Sequence, residues 1–144
     1  SSNVLVRKNA IYYLGEKRVK EAVPLLIDLL DADQPKSVKL NTVSALGKIQ
    51  ESSSVDVLIQ LLDEKDDELR EEAIWALGQI KDPKAIMPLS RLVTDNGDRL
   101  AVIWAMGNIG DKSAVPLLTE LLNKENKFVR YNAARSLKKI GQID

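Results

Sequence analysis

The sequence predicts an all-α protein, an α-α superhelix of about four and a half helical-hairpin repeats laid side by side. Three observations carry that expectation. The stretch Leu69-Arg70-Glu71-Glu72-Ala73-Ile74-Trp75-Ala76-Leu77-Gly78-Gln79-Ile80 has relatives at four other places in a chain of 144 residues. Every copy except the last is followed by a second apolar run. In both kinds of segment the apolar residues fall at helical offsets, and a fixed period of about 30 residues is the mark of a solenoid.

Aligned on the Gly of the Leu-Gly pair, Gly15, Gly47, Gly78 and Gly107 share a column that Lys138 holds in the last copy, at intervals of 32, 31, 29 and 31 residues. Nine positions before it stand Val6, Val38, Leu69, Asp98 and Val129; five before it, Ala10, Thr42, Ala73, Val102 and Ala133; one before it, Leu14, Leu46, Leu77, Met106 and Leu137. Offsets of four and eight put these on one stripe of a first helix, A. Its small central residues let a second helix come close, and the Gly suits the left-handed residue that ends a helix.

The second helix, B, is read from Ala22 to Leu30, Ser54 to Leu62, Ala85 to Val93 and Ala114 to Leu122. Pro24, Pro88 and Pro116 fit its first turn, where a missing N–H costs nothing. Polar turns then reset the chain, and Ser37 or Asp67 is placed to cap the next helix A. The count is one domain over residues 1–144 with repeats near 3–33, 34–65, 66–94, 95–125 and a partial 126–144. Ile140 and Ile143 end the last copy without a partner helix, so the chain reads as a slice of a longer solenoid, able to associate end to end through uncapped repeats.

Composition narrows the chemistry. Lys plus Arg and Asp plus Glu both number 21, but residues 51–100 carry a net −6 between ends of +3 each. No global charge pulls the chain to nucleic acid or to an anionic membrane. Cysteine and histidine are both absent, which removes disulfides, thiolate nucleophiles and the commonest general base and metal ligand. No apolar run nears the roughly 18 residues of a membrane span.

The pattern V-R-x-x-A-x-x-x-L-G-x-I followed by A-V-P-x-L-x-x-L-L, seen in Val129 to Ile140 and Ala114 to Leu122, resembles the HEAT-repeat family and most closely its phycobilin-lyase-like subtype. The resemblance covers nearly the whole chain. It implies a HEAT-like solenoid whose B helices line a concave face. The residues expected on that face, as a partner-binding surface, are Ile27, Asp28, Asp31, Ile59, Gln60, Asp63, Ser90, Arg91, Thr119 and Glu120, with Ile27 and Ile59 facing water side by side. Tyr12, Trp75 and Trp104 share a column pointing to the convex side, where they form an aromatic patch or pack between layers. The basic column Arg7, Lys39, Arg70, Arg99 and Arg130 is read as structural, pairing with turn groups such as Asp66, Asp95 or Asn126. The acidic run Asp63 to Glu72 is read as a solvated face, since it lacks the alternation of a calcium loop.

These features predict a cytoplasmic, non-catalytic scaffold, without cofactor or metal, that binds a protein partner through the concave face. The alternative, suggested by the repeat subtype alone, is a subunit or chaperone-like component of a bilin lyase or phycobiliprotein-handling complex. Nucleic acid is disfavoured because Asp28, Asp31, Asp63 and Glu120 outnumber Arg91 in the groove. The iron site of HEAT-like deoxyhypusine hydroxylase needs histidine, which is missing.

Overall fold

A computed structural model describes residues 3–31, 33–94, 97–124 and 126–141. Among these residues all regular structure is helical. The first helices of the repeats are α1 (Val4–Glu16), α3 (Lys36–Ile49), α5 (Asp67–Ile80), α7 (Arg99–Ile109) and α9 (Lys127–Ile140). The second helices are shorter: α2 (Val23–Asp31), α4 (Val55–Gln60), α6 (Ile86–Ser90) and α8 (Val115–Leu121). Each is entered through a 3-10 turn. The main contacts run from each odd helix to the next odd helix, and from each even helix to the odd helix that follows it. The result is two parallel layers of helices in a superhelix, as the periodicity predicts.

Short polar side chains cap the starts of α1, α5 and α9. Asn3 Oδ1 accepts from the Val6 N–H at 3.2 Å, and Asp66 Oδ1 from Leu69 at 3.1 Å. Asn126 Oδ1 accepts from Phe128 and Val129 at 2.8 and 3.3 Å. The expected caps Ser37 and Asp67 lie two places and one place too late. Ser37 is inside α3, which starts after Pro35, and Asp67 is the first residue of α5, after its cap Asp66.

Glycine in the Leu-Gly column does not end the helices; this corrects the sequence reading. The left-handed residues stand three positions later, at Arg18, Gln50, Lys81, Gly110 and Gly141, with φ between 52° and 93°. At the last four, the left-handed residue's N–H returns to the carbonyl four residues back, as from Gln50 to Leu46 at 3.1 Å. The column glycines instead sit inside the helices, where consecutive odd helices touch. A Cβ on Gly15 would stand 2.8 Å from Ala45 Cα, and one on Gly107 would stand 2.9 Å from Ser136 Cα. A Cβ on Gly47 would meet Ala76 Cα at 3.0 Å and a Trp75 ring carbon at 2.6 Å. Lys138 can hold this slot because it is exposed.

The core stripe is buried from α3 onward, with Val38, Thr42, Leu46, Ala73, Leu77, Val102, Met106, Ala133 and Leu137 all sealed. In α1 the same stripe is open, and Val6 is 53% exposed. The unpartnered apolar edge therefore lies at α1, whereas Ile140 is half-buried against the core; Ile143 falls outside the described residues.

Asp98 occupies a stripe position and is only 1% exposed. It forgoes capping α7 and takes the Nε–H of Arg70 from the layer before. Arg70 also donates to Asp67 Oδ1 at 2.6 Å and to the Glu64 carbonyl at 2.8 Å. The Asp98 and Asp67 carboxylates hold its guanidinium above the ordinary arginine value. Others of the basic column clamp turns in the same way. Arg99 donates to Thr94 O at 2.7 Å, Arg130 to Lys124 O at 2.8 Å, and Arg7 to Gln34 Oε1 at 2.8 Å. The partners of the column include turn carbonyls as well as side chains. Asp66 and Asn126 are occupied as caps, and Asp95 lies outside the described residues.

Two stability outcomes follow from this packing. Gly47→Ala gains about 1 kcal/mol of helix propensity but overpacks against backbone at about 1–3 kcal/mol, so a net loss of up to about 2 kcal/mol is expected in urea unfolding. Lys138→Ala, in the same column, should move the midpoint little. Arg70→Met leaves the Asp98 carboxylate buried without its guanidinium and should cost about 3 kcal/mol, the lower end for breaking a buried pair. Asp98→Val should cost far less, because Arg70 keeps Asp67 and the Glu64 carbonyl and valine fills this position in three other repeats.

Candidate functional site

The even helices expose a polar face. Asp28, Asp31, Gln60, Asp63, Arg91, Thr119 and Glu120 are all exposed, as are Pro24, Asp56, Met87 and Pro116. Among these, the carboxylates of Asp28, Asp31, Asp56, Asp63 and Glu120 face the single guanidinium of Arg91. Lys84 relieves only Asp56, at 2.8 Å. The face therefore presents a negative potential to whatever approaches it.

Ile27 and Ile59 do not stand in water. Both are half-buried and packed on the core, and Ser90, in their column, is also half-buried with its hydroxyl donating to Met87 O at 2.6 Å. Each even helix packs on the following odd helix, and at α2, α4 and α6 this column is partly covered, whereas Thr119 of α8 stays exposed. The apolar groups that do project from the even helices are Leu25 and Met87, 59% and 71% exposed.

The expected convex aromatic column splits into two behaviours. Trp75 is half-buried, with its ring in the space over Gly47; Trp104 lies over Gly78 in the same way and remains partly exposed. A missing side chain on one layer is thus filled by a ring from the next. Tyr12 is exposed beneath the Lys48 ammonium, 4.9 Å from its ring centre, and Ser44 interrupts the column between Tyr12 and Trp75. The three residues do not make one patch.

Grooves between successive odd helices differ in charge. The groove between α3 and α5 is lined by Leu40, Asn41, Ser44, Glu68, Glu71 and Glu72. Burial raises the Glu72 carboxyl above its ordinary value, with Lys48 opposing. The expected solvated acidic run is in fact partly committed: Asp66 and Glu68 bind Lys36 at 2.8 and 3.0 Å. Asp67 binds Arg70. Among the described residues no three potential ligands gather to hold a metal ion. The groove between α7 and α9 is lined by Trp104 and Tyr131 with Arg135, Lys138 and Lys139. Sequence reading did not single out Tyr131, Arg135, Lys138 or Lys139 as a site. Their one available signal was the net positive charge of residues 101–144. At the α1 edge, Val6, Ala10, Leu14, Leu25 and Leu29 line an apolar cleft of about 240 Å³. No helix among the described residues is long and apolar enough to cross a membrane.

Comparison with known proteins adds identity to this geometry. The family model for HEAT repeats matches residues 1–68, 23–101 and 95–144. Phycocyanobilin lyase subunit alpha of Synechococcus elongatus is 30% identical over 103 residues, covering 66% of this chain and 38% of the relative. The structure of the complex of CpcE and CpcF of phycocyanin lyase from Nostoc superposes with a TM-score of 0.80 at 30% identity, over 99% of this chain and 62% of that one. The chain thus spans less than two thirds of either relative. A designed armadillo repeat protein, solved with the peptide (KR)4, shares the fold at 22% identity, with a TM-score of 0.72 over 98% of this chain and 78% of that one. The expectation of a non-enzyme is corrected by these relatives. Both lyase proteins are named for a catalytic activity, which points to a catalytic complex and away from a purely structural scaffold. The absence of histidine and cysteine bears on this chain alone and does not by itself exclude a part in a catalytic complex.

The Glu72 environment yields a pH outcome. Its raised folded-state value means that the group favours folding fully below its unfolded value of about 4.5, and that this contribution is lost as pH rises through the folded value. Glu72→Gln should therefore gain stability relative to wild type as pH rises from about 4 to 7. Urea midpoints across that window check it, and a constant difference would refute the burial account.

Proposed function

We propose a function from one established premise: the chain belongs to the HEAT-repeat family. We infer that it acts within a bilin lyase complex, with the even-helix face as the surface that receives a phycobiliprotein, its bilin or a companion subunit. The observation that carries this reading is the likeness to the CpcE–CpcF complex along 99% of the chain at 30% identity, above the level at which fold alone is shared.

The chemistry of the face fits such a role. A linear tetrapyrrole offers pyrrole N–H donors, which the exposed carboxylates of Asp28, Asp31, Asp63 and Glu120 can accept. Its propionates match the guanidinium of Arg91, which can bind a carboxylate through two N–H groups. A protein partner with a basic surface would be steered by the same carboxylates. Leu25 and Met87 supply apolar anchors beside them. The carboxylates on this face are also the groups available to move protons on a bound bilin.

The test uses the chain with phycocyanobilin, in the presence and absence of a companion lyase subunit and an apo-phycocyanin acceptor. A shift in bilin absorbance and covalent transfer to the acceptor are expected. Asp28→Lys/Asp63→Lys, both at exposed positions, should keep the helical circular dichroism and reduce transfer at least about tenfold, the loss from reversing steering charges. Unchanged transfer by the folded double variant would remove the even-helix face from the reading. Absence of any bilin or acceptor effect would remove the lyase reading itself.

A further inference from the structure

We propose a second ligand site on the odd-helix layer, in the groove between α7 and α9, for a planar ring system that carries two or more acidic groups. The groove has a volume of about 510 Å³ and is lined by Trp104, Tyr131, Asn132, Arg135, Lys138 and Lys139. That volume is in the range of small-molecule pockets. It lies on the layer opposite the even-helix face, and its assignment does not rest on the lyase reading.

The lining supplies two kinds of recognition at once. Trp104 and Tyr131 present exposed ring surface against which a flat ligand can stack. Arg135, Lys138 and Lys139 bring three positive charges into the same groove, and among the described residues no carboxylate lines it. Some other lysines of the chain are answered by acids: Lys20 by Glu51, Lys36 by Asp66 and Glu68, Lys48 by Glu16, Lys84 by Asp56. Here the partners are neutral. Lys139 donates to Asn108 Oδ1 at 2.5 Å, and the Arg135 guanidinium lies 5.8 Å from the Tyr131 ring centre. Neither contact cancels charge, so the mutual repulsion of three cations is left for an anion to relieve.

The site is also held in place. Asn108 Nδ2 donates to Gly78 O at 2.7 Å, so the amide that fixes Lys139 is itself anchored to the layer before. Ser136 Oγ donates to Ile103 O at 2.8 Å and locks α9 onto α7 beneath the groove. Trp104 is set by its seat over Gly78. A groove also opens between α3 and α5, but its lining carries Glu68, Glu71 and Glu72 and no aromatic ring. In the α7–α9 groove, a ring without acidic groups or an anion without a ring would use only half of the lining.

Isothermal titration of the intact chain tests the assignment with three probes. ADP offers a ring with phosphates, naphthalenedicarboxylate a ring with carboxylates, and tripolyphosphate charge without a ring. Saturable binding of ADP or naphthalenedicarboxylate is expected, with the tighter of the two identifying the acid group preferred. Lys138→Glu/Lys139→Glu should weaken it at least about tenfold, and Tyr131→Ala by about three- to tenfold from lost stacking. Glu71→Ala in the acidic groove should leave it unchanged. Circular dichroism checks that each variant is folded, and Arg135→Glu replaces the lysine pair if that variant is not. No binding of either ring probe at millimolar concentration overturns the proposal. So does equal affinity for tripolyphosphate and ADP, or retention of affinity by the charge-reversed protein.

Discussion

The structure depends on how closely one odd helix can approach the next. Side chains are removed at Gly15, Gly47, Gly78 and Gly107, and the facing positions on the following helix are Ala45, Ala76, Ala105 and Ser136. Backbones meet with almost nothing between them, and dispersion over that contact makes one layer register on the next. Because the same pair of columns recurs at each step, every layer repeats the relation of the one before, and a line of rods results instead of a cluster about one centre. Where the glycine leaves extra room, Trp75 and Trp104 fill it. The even helices then take the remaining side of each odd helix and close the core.

Polar groups follow from this spacing. With layers so close, each turn needs its carbonyls satisfied, and the arginines of the odd helices reach back to do it. Side chains of the left-handed residues step forward: Arg18 reaches Gln50, whose amide donates to Gln79 O at 2.8 Å. These bonds align layers more than they drive folding, since exposed polar pairs contribute about 0–1 kcal/mol each. Asp98 with Arg70 is the exception, a charge pair placed in the stripe itself, where its removal acts on the core and not only on the surface.

A stack of this kind leaves one face of the even helices and the grooves between odd helices open to solvent, and they differ in character. The even-helix face is acidic and polar, with isolated apolar projections. The groove at α7 and α9 is basic and aromatic. The odd-helix layer itself is mixed, since the groove between α3 and α5 carries Glu68, Glu71 and Glu72.

Residue periodicity alone determined the helical hairpins, their order and the superhelix, because a spacing of four and eight residues repeated at a constant interval admits one kind of packing. It also identified the arginine column and the even-helix carboxylates, whose exposure follows from the helical wheel. Tertiary structure decided what depends on a neighbour in space. The glycine column reads as a helix stop until Ala45 or Ala76 is seen against it, although small residues two before the Leu-Gly glycine in every copy after the first were a visible sign. Ile27 and Ile59 read as exposed because a single-helix wheel cannot contain the lean of one helix on the next. Tyr131, Arg135, Lys138 and Lys139 read as scattered surface residues, since a groove between two helices 30 residues apart belongs to neither helix alone.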